Sequence, residues 1–238
     1  TLPVISRIAA DTDTSRFGPT LGRALRLALF LTLPSAVGLW FMAESIIGLV
    51  YQHGQFVAND TLQTSLALQF YALGLVAYAC IKVVSPAFYA INRKWTPMLV
   101  SFGAVGLNIV LNYWFMFHLG LGHKGLALST TICATLDFLV LYLLMRPAAG
   151  TLDTKKTLST LLRCGLACLA LAAICFAGKN LLPTVLPQTN LLNRSVAVLG
   201  TIGLAAFAYL AACLLLRVEE TRSALDILQR KFKKPRTP

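Results

Sequence analysis

Ser195–Leu216 reads SVAVLGTIGLAAFAYLAACLLL and contains no charged side chain. About 20 apolar residues are needed to cross roughly 30 Å of bilayer hydrocarbon as an α-helix. Lipid offers no partner for a backbone N–H or C=O, so a spanning segment of this kind must satisfy those groups internally, as a helix does. This stretch therefore reads as a transmembrane helix. Working outward from it, five more runs have the same character: Leu158–Ala177, with Arg163 near its start; Gly125–Met145, carrying Asp137; Pro97–Phe117, free of charge; Leu62–Ile91, broken only by Lys82; and Leu25–Val50, charge-free between Leu27 and Ala43. The expected fold is an all-α polytopic membrane protein of about six transmembrane helices. The composition agrees, with 57% hydrophobic and 13% charged residues, against roughly 25% charged in soluble domains.

The chain begins at Thr1, and Thr1–Ala10 (TLPVISRIAA) resembles the tail of another apolar segment, without the basic start and small-residue cleavage site of a signal peptide. The expectation is a piece of a longer protein, whose N-terminal half is its first partner.

A net charge of +12 raises the question of nucleic acid, but the placement of the charge points to a membrane. Alternating the loops between two sides puts Arg7, Arg16, Arg23, Arg26, Arg93, Lys94, Arg146, Lys155, Lys156 and Arg163 on one side, together with the seven basic residues from Arg217 to Arg236. The other side holds Lys124, Lys179 and Arg194. The excess of Lys and Arg in cytoplasmic loops then orients both ends of the chain to the cytoplasm. Val218–Lys234 places Val218, Leu225, Leu228 and Phe232 on one helical stripe, followed by Arg230, Lys231, Lys233 and Lys234. It reads either as an amphipathic helix lying on anionic membrane phospholipids or as a solvated basic tail. Phe232, on the apolar stripe, is the one aromatic residue among the tail's cations, so no nucleic-acid partner is expected.

Chemistry-bearing motifs are sparse. Cys80, Cys133, Cys164, Cys168, Cys175 and Cys213 all fall in apolar runs without a C-x-x-C pair and read as small buried hydrophobes. Cys164 and Cys168 share a helix face but have no His beside them. His53, His118 and His123 sit at predicted outer loops. Hydrolase and nucleotide-binding signatures are absent from the sequence, so no catalytic residue, metal or cofactor is expected.

Polar residues within the spans are the stronger leads, because each is expensive in hydrocarbon unless it faces protein or water. Lys82 reads as a cavity-facing cation or as a side chain snorkelling toward Arg93 and Lys94. Asp137 reads as a partner for Lys82, a cation ligand, or a carboxyl hydrogen-bonded to a neighbouring helix. Asn108 and Asn112, one turn apart, share a face and favour interhelical hydrogen bonds. Pro86 kinks the second helix and is a candidate hinge.

Four stretches together resemble the MurJ/MviN family of lipid II flippases: Ala24–Val37 (ALRLALFLTLPSAV), Tyr51–Phe56 (YQHGQF), Lys82–Pro97 (KVVSPAFYAINRKWTP) and Gly120–Leu128 (GLGHKGLAL). They occur in the family's order and spacing. The resemblance implies the C-terminal half of a fourteen-helix, two-lobe flippase. Residues 1–23 would be the end of a preceding helix and a cytoplasmic loop, and 24–146 four helices of the C-terminal lobe. Residues 147–217 would be two added helices forming a lipid-facing groove, and 218–238 the basic cytoplasmic tail. It also implies a bacterial inner-membrane location and lipid II as cargo, the undecaprenyl-pyrophosphate-linked peptidoglycan precursor, moved to the periplasmic leaflet by alternating access. Lys82, Pro86, Asp137, Asn108 and Asn112 are the candidates for substrate binding or gating. The readings that compete with this one are a related exporter of another polyprenyl-linked saccharide or a drug, and a non-transporting membrane scaffold.

Overall fold

A computed structural model describes residues 17–52, 54–150, 153–185 and 191–221, without the side chains of 182–185. Among these, six helices are long and apolar enough to cross a membrane. They are α1 (Phe17–Tyr51), α2 (Ala58–Ala90), α3 (Trp95–Tyr113, continued by a π-helical turn, Trp114–His118), α4 (His123–Ala149), α5 (Thr154–Val185) and α6 (Leu191–Leu215). The Thr1–Ala10 stretch, His53, and the tail beyond Thr221 lie outside the described residues.

Residues 17–23, expected to belong to a cytoplasmic loop, instead form the first turns of α1. The reason is a stripe of Phe17, Leu21, Leu25 and Leu29, four residues apart, which stays on one helix face and is buried along its whole length. Pro19 is tolerated there, because the first turn has no intrahelical use for its missing N–H.

α1 is the spine of the bundle. One side packs on α2 and, through it, on α4, around Leu21, Leu25, Val84, Phe88, Leu141 and Met145. The other side packs on α5 and α6, around Phe30, Met42, Cys164, Cys168, Leu171, Tyr209 and Cys213. All six cysteines are buried and unpaired, as small apolar residues would be. α3 lies against α4 at the edge, and Pro97 is its one buried residue.

Two turns explain motifs noted in the sequence. Gly54 has φ +64°, a conformation that costs glycine least, and it folds the chain so that Tyr51 and Phe56 meet at 6.1 Å. Gly120 and Gly122, at φ +61° and +53°, turn the chain from the π-helical segment into α4. Gly125 then sits where a Cβ would lie 2.9 Å from Phe115 Cβ.

Candidate functional site

α2 carries Lys82 on a distinct face. Ala72, Ala77, Cys80, Val84, Ala87 and Phe88 are buried, whereas Tyr71, Tyr78, Lys82 and Tyr89 are exposed. At about 100° per residue these four fall within roughly 40° of one another, which makes a stripe of hydroxyls and one ammonium. Among the described residues, Lys82 has no hydrogen-bond or ion-pair partner. Pro86 lacks an N–H, so the carbonyl of Lys82, four residues earlier, loses its intrahelical bond. α2 nevertheless runs unbroken to Ala90. The three tyrosines escaped the sequence reading because their shared face appears only once the buried side of α2 is known.

Asp137 lies elsewhere. It is buried on α4, and its Oδ2 accepts a hydrogen bond from the Ser101 hydroxyl of α3 at 3.3 Å. Its Oδ1 has no partner among the described residues. The pairing with Lys82 entertained from sequence is not formed. Asn108 and Asn112 do face the same way and join α3 to α4. Asn112 Nδ2 donates to Asn108 Oδ1 at 3.0 Å, Asn108 Nδ2 donates to Thr130 Oγ1 at 3.5 Å, and the Ser129 hydroxyl donates to Asn112 Oδ1. The last two are interhelical hydrogen bonds of the kind anticipated for the two asparagines.

A second region lies between α1 and the last two helices. Phe30, Pro34 and Gly38 of α1, Leu171 and Cys175 of α5, and Ala205 and Tyr209 of α6 help wall an apolar cavity of about 510 Å³. Its buried polar anchor, Tyr209, has a specific cause. Pro34 deprives the Phe30 carbonyl of its helical partner, and the buried Tyr209 hydroxyl donates to that carbonyl at 2.8 Å. Tyr209 thereby satisfies a backbone acceptor that hydrocarbon cannot.

Charged tethers hold the same helices at both ends. At one end Arg26 Nε donates to Glu220 Oε1 at 2.7 Å, with both side chains at least nine-tenths buried. Thr160 Oγ1 lies 3.4 Å from each Glu220 oxygen, and Arg163 Nη1 donates to the Arg217 carbonyl at 3.3 Å. At the other end Lys179 Nζ meets Glu44 Oε2 at 2.6 Å, and Arg194 Nη2 donates to Gln52 Oε1 at 2.7 Å. From sequence, these cations were read only as topology signals. The available clue was an acid at the end of an apolar run, Glu44 in one case and the Glu219–Glu220 pair in the other.

Six membrane-length helices around a shared spine, with an apolar cavity at one flank and polar side chains confined to helix faces and ends, define a multi-pass helical membrane protein. The family model described as lipid II flippase MurJ matches residues 1–193, and the chain belongs to that family. A probable lipid II flippase MurJ from Vibrio cholerae is 29% identical over 227 residues, covering 94% of this chain and 43% of that protein. The lipid II flippase MurJ of Thermosipho africanus is 39% identical over 141 residues, covering 59% of this chain and 28% of that one. A solved structure of lipid II flippase MurJ in an inward closed conformation aligns with a TM-score of 0.68 and 30% identity, covering 90% of this chain and 42% of that chain. The chain thus spans less than half the length of these relatives.

Proposed function

We propose that the intact protein to which these helices belong carries lipid II from the cytoplasmic to the periplasmic leaflet, and that this chain is its C-terminal half. The observation that carries the reading is the match of residues 1–193 to the MurJ family, together with a helix arrangement like that of a solved flippase. The cargo is amphiphilic and needs a hydrated, cationic path for its pyrophosphate and sugars and an apolar one for its chain. In this reading the Tyr71–Tyr78–Lys82–Tyr89 stripe faces the space between the lobes near the cytoplasmic entrance. There Lys82 attracts pyrophosphate, and the carbonyl freed by Pro86 helps keep the ammonium solvated. Asp137, Asn108 and Asn112 hold α3 against α4 and shape the lobe that moves. The 510 Å³ apolar cavity between α1, α5 and α6 guides the polyprenyl tail. Both ends of the chain face the cytoplasm, where the basic tail meets membrane phospholipids.

Depleting the intact protein in cells without a redundant flippase should stop lipid II from reaching the outer leaflet; undiminished flipping would reject the reading. Cysteine tags at Asn59, near His123 and near Gln188 should react from outside, and tags at Asn92, Asp153 and Lys234 should not. Reversal at any two positions would overturn the orientation.

A further inference from the structure

The end of the bundle away from Arg26 and Glu220 holds a separate polar cavity of about 220 Å³, walled by α1, α2, α5 and α6. From Arg26 to Gln52 along α1 is about 39 Å at 1.5 Å per residue, close to the thickness of a bilayer with its headgroups, about 40–45 Å. The cavity therefore opens at headgroup depth. Two cations reach it, Lys179 from α5 and Arg194 from α6. One carboxylate lines it, Glu44, and Lys179 is bound to that group. Arg194 donates to the neutral Gln52 amide, so the lining carries one more positive than negative charge. The nearest further acid in sequence, Asp60, is occupied in accepting the Val57 N–H at 3.1 Å, and no acid occurs between Lys179 and Arg194.

The guanidinium lies directly against the α1 backbone, where a Cβ on Gly48 would meet Arg194 Nη2. Moreover, three lining residues, Gly178, Ala197 and Thr201, also line an apolar groove of about 370 Å³ between α5 and α6. A cationic, hydroxyl-bearing cavity adjoining an apolar groove at headgroup depth has the form of an amphiphile's phosphate and its chain.

We propose that Arg194 and Lys179 form a binding site for the phosphate headgroup of an anionic membrane lipid, with the adjoining α5–α6 groove holding one of its hydrocarbon chains. Guanidinium groups suit this role because their fork of N–H donors matches phosphate oxygens, and the neutral Gln52 is an easily displaced placeholder. The proposal depends on the membrane placement of the helices and not on what the protein transports.

The test is native mass spectrometry of the intact protein in detergent, titrated with phosphatidylglycerol, with diacylglycerol of the same chains, and with inorganic phosphate. Wild type should retain phosphatidylglycerol over diacylglycerol, and Arg194→Gln should weaken that retention about tenfold or more, as befits losing a charge-assisted hydrogen bond. Arg194→Lys should keep part of it. Gly200→Leu fills the groove without a collision, since a Cβ there meets nothing within 4 Å; it should weaken phosphatidylglycerol binding with both cations intact. If Arg194→Gln does not fold, Lys179→Gln at an exposed position serves in its place and should show the same direction. Polyprenyl phosphate displacing phosphatidylglycerol would identify the lipid source and support the site. Equal phosphatidylglycerol retention in wild type and the charge variants would overturn it, as would inorganic phosphate saturating the site as well as the lipid does, or Gly200→Leu leaving lipid binding unchanged.

Discussion

The two cores that share α1 are held together differently. On the α2–α4 side, close backbone approach dominates. Gly74 of α2 lies against Thr131 of α4, where a Cβ would sit 2.8 Å from the threonine hydroxyl and 3.3 Å from its Cα. The same hydroxyl donates to the Phe70 carbonyl at 2.7 Å, and Gln69 Nε2 donates to the Trp40 carbonyl at 3.0 Å. On the α5–α6 side the core is made of cysteines, alanines and a few larger residues, and strong polar bonds sit at the ends and at Tyr209. The difference reflects the solvent. Between helices in lipid there is little hydrophobic driving force, so association depends on tight packing or on interhelical polar bonds. α2 and α4 combine close packing with polar bonds along the helices, whereas α5 and α6, nearly featureless in sequence and in close approach at Gly178 and Thr201, place their charged bonds at the helix ends.

The largest effect should come from breaking the buried tether. Arg26→Leu strands the Glu220 carboxylate in the interior and should cost about 3–5 kcal/mol, whereas removing both charges together, Arg26→Leu with Glu220→Leu, should recover most of it. Thermal unfolding of the intact protein in detergent reads both. An additive double variant would mean that the two groups do not act as a pair.

Next comes the close-packed side. Gly74→Leu forces a side chain into Thr131 and should cost about 1–3 kcal/mol through overpacking. Gly103→Leu on α3, where a Cβ meets nothing within 4 Å, should be nearly silent in the same assay. Equal effects at the two glycines would remove the distinction between a packed and an open helix face.

The smallest effect is the most diagnostic. Tyr209→Phe should cost about 0.6 kcal/mol and no more than about 1.7, the range for interhelical hydrogen bonds in membranes. In a Pro34→Ala background residue 34 regains an N–H for the Phe30 carbonyl, so Tyr209→Phe should then cost almost nothing. An unchanged cost in that background would show that the hydroxyl does not serve the carbonyl freed by proline.

These contrasts also mark what could be read from sequence. The six spans were legible because each is a local run of apolar residues, and the bilayer imposes its length on every one. Lys82, Asp137 and the two asparagines stood out because polar atoms are rare in such runs. Arg26 and Glu220 did not, since they are 194 residues apart and no local period links them. The first turns of α1 were missed for a related reason: Arg23 and Arg26 end the apolar run, while the buried Phe17–Leu21–Leu25 stripe carries the helix past them. Nothing local marks Tyr209, whose role appears only with Pro34 and the Phe30 carbonyl placed beside it.

In the proposed function the intact protein moves lipid II and Lys82 meets it on the way. The most direct measurement is the amount of lipid II exposed on the outer leaflet in cells depleted of the protein and then supplied with wild type or Lys82→Ala at equal membrane levels. Wild type should restore exposure fully, Lys82→Ala only in small part, and Lys82→Arg to an intermediate level. Full restoration by Lys82→Ala would reduce Lys82 to a snorkelling side chain, and outer-leaflet lipid II that is indifferent to depletion would contradict the account at its root.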